Sequence, residues 1–344
     1  MTVNWNLLGH EWAVEMLRRH IATDETRHAY LFTGPAGVGR RSLALAFARA
    51  LNCTNPPEPG DFCGECRDCR QIAAMAHPDL YIIEPTIKNP ENTKELIPNL
   101  YGEIRIQQIR ELQRVINLKP YQARYRPIVC LKFNQANIES SNAFLKTLEE
   151  PPAYVILLLT ADNPESLLPT VVSRCEVLRL RPLPIEQVEK ELIRRGAEGT
   201  AAQLIARVSG GRTGYAIRLL EDKSLLEFRG QRLDDLHKLL SASRVDKFTY
   251  AEKLAKEKDV MRQVLLVWLS LWRDVLLCAA KADSPVTNMD RIKEIEALAK
   301  QFDLRAARNH VNETERAIRQ LERNVNPRLL AEVLLLGWNN KGGA

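Results

Sequence analysis

Five stretches rich in apolar residues set the first expectations. Ala29 to Phe32 is a short continuous apolar run that predicts a strand, and Ser42 to Leu51 predicts the helix that follows it. Pro127-Ile128-Val129-Cys130-Leu131 is the good candidate strand after this pair, continuing into Lys132-Phe133-Asn134-Gln135-Ala136, and Tyr154 to Leu159 predicts another, strong strand. Far downstream, Val264, Leu265, Val267, Trp268, Leu271, Trp272, Val275 and Leu276 recur at helical spacing and predict a buried helix. The surrounding segment Val260 to Ala280 is the most apolar of the later chain but contains Arg262, Arg273 and Asp274, so it predicts an amphipathic core helix rather than a membrane span. Met1 to His10 is short and interrupted by polar residues, unlike a signal peptide, and there is no low-complexity tract or short internal repeat.

Composition adds scale. At 344 residues the chain is too long for one ordinary core and implies two or three domains. A formal net charge of +6 with 27% charged residues permits contact with nucleic acid without demanding it. A cytoplasmic protein with no membrane partner is expected.

Between the first strand and its helix lies Gly34-Pro35-Ala36-Gly37-Val38-Gly39-Arg40-Arg41-Ser42. A working phosphate loop reads G-x-x-x-x-G-K-[ST]: backbone amides cradle phosphates, the lysine reaches the terminal phosphates and the hydroxyl binds magnesium. Gly34, Gly37 and Gly39 keep the frame, but Arg40 stands at the lysine position and Arg41 at the hydroxyl position, with Ser42 one place late. A planar guanidinium does not replace a compact ammonium at a site shaped for a point charge. P-loop enzymes also hold magnesium with an acid at the end of a second buried strand. No Asp or Glu occurs between Pro127 and Ile138. Two independent losses predict the fold of an ATPase without hydrolysis, and leave open whether ATP docks on the loop at all.

Four of the seven cysteines are grouped: Cys53, then Cys63-Gly64-Glu65-Cys66-Arg67-Asp68-Cys69. Two-residue gaps turn neighbouring thiolates onto one metal, and Cys53 completes a tetrahedral set, so zinc is the natural occupant. An iron-sulfur cluster is the alternative, although the Cys-Pro ending of the ferredoxin run is missing. Disulfides fit poorly with a cytosolic chain. Four thiolates close the coordination sphere, which makes such a metal structural rather than catalytic. Cys130, Cys175 and Cys278 sit in apolar surroundings and read as core residues.

Leu167-Leu168-Pro169-Thr170-Val171-Val172-Ser173-Arg174-Cys175 follows the strong strand. An arginine presented there can reach the terminal phosphate of ATP held by a neighbouring subunit, but taken alone it reads better as a surface arginine in an ion pair.

These segments, together with His28-Ala29-Tyr30-Leu31-Phe32-Thr33-Gly34-Pro35, His77-Pro78-Asp79-Leu80, Ile106-Gln107-Gln108-Ile109-Arg110 and Asn142-Ala143-Phe144-Leu145-Lys146-Thr147-Leu148-Glu149-Glu150-Pro151-Pro152, resemble the bacterial clamp-loader subunits of DNA polymerase III, members of the AAA+ superfamily. The resemblance spans nearly the whole chain. It is nearer to the delta prime group than to the ATP-hydrolysing gamma/tau group, because the P-loop lysine and the second-strand acid are both missing. The family's second-sensor arginine would fall near Gly214, where it is absent, with Arg212 close by.

The resemblance implies an α/β fold: a parallel-sheet AAA+ core over residues 1–180 with an inserted zinc loop at 53–69, a helical lid at 181–228 introduced by Pro182 and Pro184, and an all-helical collar at 229–344 that ends near Asn324-Val325-Asn326-Pro327-Arg328-Leu329-Leu330. It implies gamma/tau and delta subunits, the sliding clamp and primed DNA as partners. It also implies that Arg174, oriented by Ser173, is supplied in trans to a neighbour's ATP site. The competing expectation is an active ATPase with an unusual P-loop in which Arg40 or Arg41 contacts phosphate. A free-standing zinc-dependent nucleic-acid binder is poorly supported, since the four cysteines lack interleaved aromatics or a dense basic patch.

Overall fold

Strand β1 (Ala29–Thr33) is buried at all five positions and its side chains divide between two cores. Tyr30 and Phe32 pack on one face of a sheet with Leu17, Phe47, Val129 and Leu158, whereas Ala29 and Leu31 pack on the other with Ile109, Ile128, Phe144 and Leu157. A strand covered on both faces needs apolar residues at every position rather than at alternate ones, which is why the apolar runs of the sequence mark the central strands. The computed structural model describes residues 5–89, 96–99, 102–322 and 325–338.

In chain order the first part contains α1 (Glu11–Ala22), β1, α2 (Arg40–Asn52), α3 (Arg67–Ala73), β2 (Tyr81–Ile83), β3 (Thr86–Lys88), β4 (Leu96–Pro98), α4 (Ile106–Val115), β5 (Arg126–Cys130), α5 (Ile138–Glu149), β6 (Val155–Ala161), α6 (Pro169–Val172) and β7 (Glu176–Arg179). Five strands form a parallel sheet in the order β2-β5-β6-β1-β7; β3 and β4 pair separately and antiparallel. The outermost strands, β2 and β7, are absent from the apolar-run reading. Each is short, and β7 carries Glu176 and Arg179, because a strand at the rim is paired on one side only and is less completely covered than the centre. Helices α1 and α2 cover one face of the sheet, and α4 and α5 the other.

Contacts divide the chain into two compact units, Met1–Pro184 with Gly211–Tyr215, and Ile185–Gly210 with Ala216–Ala344. A lid at 181–228 distinct from a collar at 229–344 would be a subdivision mostly within the second unit and stays a proposal. That unit is helical: α7 (Ile185–Arg194), α8 (Gly199–Ser209), most of α9 (Thr213–Glu221), α10 (Lys223–Ser241), α11 (Arg244–Leu254), α12 (Lys258–Ala279), α13 (Ile292–Gln301), α14 (Leu304–Glu322) and α15 (Pro327–Gly337). Helix α12 supplies the core with Val264, Leu265, Trp268, Leu271, Trp272 and Val275, and the Trp268 ring meets Trp338 edge-on at 5.0 Å. The polar residues within α12 have work of their own. Asp274 is buried and accepts hydrogen bonds from the backbone N–H groups of Thr287 and Asn288, while Arg273 pairs with Glu315 at 2.7 Å. Asn326 caps α15 by accepting from Arg328 and Leu329 N–H, with Pro327 in the first turn, where its missing donor costs nothing. Among the described residues, no helix is long and apolar enough to cross a membrane.

Candidate functional site

The glycine loop lies at the carboxyl ends of the parallel strands, where open α/β sheets bind their ligands. Thr33 pairs with Ala161 in the β1–β6 register, so the next residues, Gly34 and Asp162, leave the sheet side by side, and the Gly34 N–H donates to the Asp162 carbonyl at 3.1 Å. Gly34 has φ +143°, and a Cβ there would collide with the Leu180 carbonyl. The loop is also fastened from outside. The Gly37 carbonyl accepts from the Tyr215 N–H at 2.9 Å, and the Val38 carbonyl accepts from both the Thr213 hydroxyl at 3.1 Å and His10 Nε2 at 2.9 Å. A carbonyl only accepts, so the His10 proton sits on Nε2. Arg212, near the expected second-sensor position, lies over the Tyr215 ring at 4.8 Å.

The arginine at the lysine position has an internal partner. Arg40 begins α2, is only 7% exposed, and places Nη1 2.8 Å from Asp162 Oδ1, in an ion pair without the alignment of a good hydrogen bond. Asp162 Oδ2 accepts from Asn134 Nδ2 at 3.3 Å. Cations in the first turn oppose the helix dipole, and α2 has no acid there, so the Asp162 carboxylate supplies the negative charge that phosphate supplies to an active loop. Arg41 points outward against the Met75 sulfur, and Ser42 is exposed. After β5 the chain runs through Leu131 into Lys132, at φ 51°, and a short 3-10 turn at Phe133–Gln135, so no carboxylate stands at the end of this strand. Asp162 was missed by sequence reasoning. Its signal is an acid just past the strong strand β6, and only the adjacency of β1 and β6 links it to Arg40.

Arg174 follows the four-residue helix α6. Its Nη1 donates to the Thr170 carbonyl at 2.8 Å and its Nη2 to Glu149 Oε1 at 2.7 Å, with the side chains 34% and 50% exposed. The Ser173 hydroxyl turns back to the Thr170 carbonyl at 3.2 Å, so Thr170 and Glu149 are the residues that hold the guanidinium here. Glu149 is the last residue of α5 and was not singled out by the sequence.

The four grouped cysteines converge. Cys53 is the C-cap just past α2, Cys66 caps α3 and Cys69 lies in the first turn of α3, and the four sulfurs, including that of Cys63, all lie within 4.8 Å of one another. Cys53 and Cys63 Sγ are 3.6 Å apart, too far for a disulfide and close to the roughly 3.8 Å edge of a tetrahedron with Zn–S bonds of about 2.3 Å. Backbone N–H groups of Cys63, Cys66 and Cys69 donate to the sulfurs of Cys53, Cys63 and Cys66, an arrangement that favours thiolates. Burial pushes the Cys53 and Cys69 thiols up; it also opposes charge on Cys66, but donors from Cys69 and Thr54 outweigh it and lower that thiol to about 6. The donor set therefore fits a closed tetrahedral metal site.

The loop is tied to the sheet by a polar chain. Asp68 pairs with His77 Nε2 at 3.0 Å, and His77 Nδ1 accepts from the Asp79 N–H at 3.0 Å. The Asp79 carboxylate, 1% exposed, accepts from the N–H groups of Tyr121, Gln122 and Ala123 and meets Arg126 at 3.3 Å. Burial alone would raise this carboxyl, but those donors and the guanidinium hold it below its ordinary range. The segment His77-Pro78-Asp79 is thus a structural clasp.

A parallel sheet with a glycine loop between β1 and α2 defines the P-loop class of α/β folds, here with the loop's lysine replaced and the acid after β5 missing. Comparison with known proteins narrows this. The chain belongs to the DNA polymerase III delta-subunit family: the model described as "DNA polymerase III, delta subunit" matches residues 9–184, and "DNA polymerase III, delta subunit, C terminal" matches residues 223–340. Within it the chain is delta prime-like. It is 36% identical over 217 residues to the DNA polymerase III subunit delta' of Pseudomonas aeruginosa, covering 62% of this chain and 61% of that one. It is 26% identical to the subunit delta' of Bacillus subtilis, over 98% of both chains. The tau subunit of Escherichia coli is 30% identical over 66% of this chain and 33% of its own. A solved gamma subunit-related protein from Thermotoga maritima shares the fold, with a TM-score of 0.51 at 16% identity over 94% of this chain and 97% of that one.

Proposed function

We propose that this clamp-loader subunit is a non-hydrolysing member of an ATP-driven assembly that loads a sliding clamp onto primed DNA, and that it completes a neighbour's ATP site with Arg174. The observation that carries this reading is the Arg40–Asp162 pair at 2.8 Å. An ATP phosphate approaching the loop would have to displace an internal carboxylate, without the lysine, the hydroxyl or the acid that place phosphate and magnesium in active P-loops. A chain that keeps the ATPase architecture while losing its chemistry serves by shape and by what it lends to others. Arg174, outside the sheet and about one-third exposed, is the group with most to lend. An arginine finger is worth roughly a thousandfold or more in rate where measured. The partners in this reading are gamma/tau-type ATPase subunits, a delta subunit, the clamp and primed DNA. One structural zinc ion is held by Cys53, Cys63, Cys66 and Cys69.

The test is the ATPase of the chain alone and of a complex reconstituted with a tau/gamma-type partner. The chain alone should give no turnover above a protein-free blank. Arg174→Ala should leave its melting temperature unchanged while cutting the DNA- and clamp-stimulated turnover of the complex at least a hundredfold, on the order of two of the three or more decades an arginine finger supplies. Arg174→Lys should rescue poorly, because an ammonium lacks the paired donors. Full turnover by an intact complex carrying Arg174→Ala refutes the in-trans role.

A further inference from the structure

Glu149 ends α5 beside a second acid, Glu150, where the carbonyl end of the helix is already negative. A carboxylate there is electrostatically misplaced for the helix itself. It nevertheless meets Arg174 Nη2 at 2.7 Å, while Nη1 is turned to the Thr170 carbonyl, so the guanidinium has both of its terminal nitrogens engaged within its own chain.

We infer that Glu149 is a resting partner for Arg174: it holds the guanidinium in cis when no nucleotide faces it and gives it up to the phosphate of a nucleotide bound by a neighbouring subunit. This rests on the in-trans role of Arg174 proposed above. The exposures suit a reversible hold. With side chains 34% and 50% exposed, both partners stay hydrated, and ion pairs of this kind are cheap to break. A terminal phosphate carries more negative charge than a carboxylate and accepts the same forked pair of N–H donors, so it competes successfully for the guanidinium at close range. Glu149 therefore opposes engagement slightly, and its removal should speed the complex rather than slow it.

The experiment compares kcat/KM for ATP in the reconstituted complex across a double-mutant cycle of Glu149→Gln and Arg174→Ala. Glu149→Gln should raise kcat/KM by about two- to fivefold, the range an exposed ion pair of up to about 1 kcal/mol allows. In the Arg174→Ala background the same substitution should do nothing. A contact that merely supported the fold or positioned Arg174 for catalysis would give a loss instead. If Arg174→Ala lowers turnover but Glu149→Gln leaves kcat/KM unchanged or reduces it, the finger stands and the resting-partner role falls. If Arg174→Ala leaves turnover intact, both fall. Should Glu149→Gln melt early, Glu149→Asp carries the same test, because it withdraws the carboxylate by one methylene: a smaller rise supports the inference, and no rise overturns it.

Discussion

His310 should make the helical unit acid-sensitive. Its imidazole is 4% exposed, lies 4.3 Å from the Trp272 ring centroid and 5.2 Å from that of Phe302, and neither ring nitrogen has a hydrogen-bond partner. Burial favours the neutral ring and lowers its pKa from 6.5 to about 4. Between these two values the unfolded chain binds a proton that the folded chain refuses, so stability falls as pH drops below 6.5 and levels off near 4. At about 1.36 kcal/mol per unit, the loss is about 2 kcal/mol at pH 5 and about 3 kcal/mol at full extent. Glu313, the nearest charged partner at 3.7 Å, acts the other way: burial raises its carboxyl, so its protonation favours the folded state as pH falls. His310→Phe keeps a flat ring in the aromatic cluster, gives up no hydrogen bond and removes the refused proton. Urea unfolding of the full chain, followed by tryptophan fluorescence, reads this unit because Trp268, Trp272 and Trp338 lie in its core. The variant should be within about 1 kcal/mol of wild type at pH 7.5 and gain about 2 kcal/mol on it by pH 5. Repeating the comparison with Glu313→Gln in both backgrounds removes the opposing group. A difference between wild type and His310→Phe that stays flat from pH 8 to 4.5 would refute the reasoning.

Two further outcomes concern the sheet unit. The purified wild-type chain should carry one zinc ion per chain, and Cys69→Ser should abolish it and lower the melting temperature, because metal-binding energy is folding energy in such a loop; wild-type protein carrying iron and sulfide, or no metal, defeats the zinc assignment. Asp79→Asn should cost on the order of 2–3 kcal/mol, since three N–H groups and Arg126 lose a buried charged acceptor. The folded pKa of Asp79 is depressed, so its contribution is present above about pH 4 and lost as pH falls through the folded value; an equal gap between wild type and variant at pH 7 and pH 2 would contradict this.

What could be read without coordinates was whatever leaves a local record. Central strands covered on both faces have to be continuously apolar, and β1, β5 and β6 appear as such runs; the rim strands β2 and β7 do not, because their partial covering removes that requirement. The cysteine spacing brought four sulfurs within 4.8 Å because two-residue gaps and a helix start dictate the geometry over a short span. The glycine frame and the substitutions at Arg40 and Arg41 are likewise local.

The partners of those residues are set by the order of the strands, which no local pattern records. Asp162 stands 122 positions after Arg40 and reaches it only because β6 lies next to β1 in a register that brings Thr33 opposite Ala161. Glu149 meets Arg174 only because the end of α5 comes back beside the end of α6. The sequence by itself determined that the phosphate loop had lost its lysine and that an arginine stood in the segment after the strong strand. Tertiary structure decided what each cation touches, because a charge finds its counter-charge by distance in space, and that distance is written by strand order rather than by position in the chain.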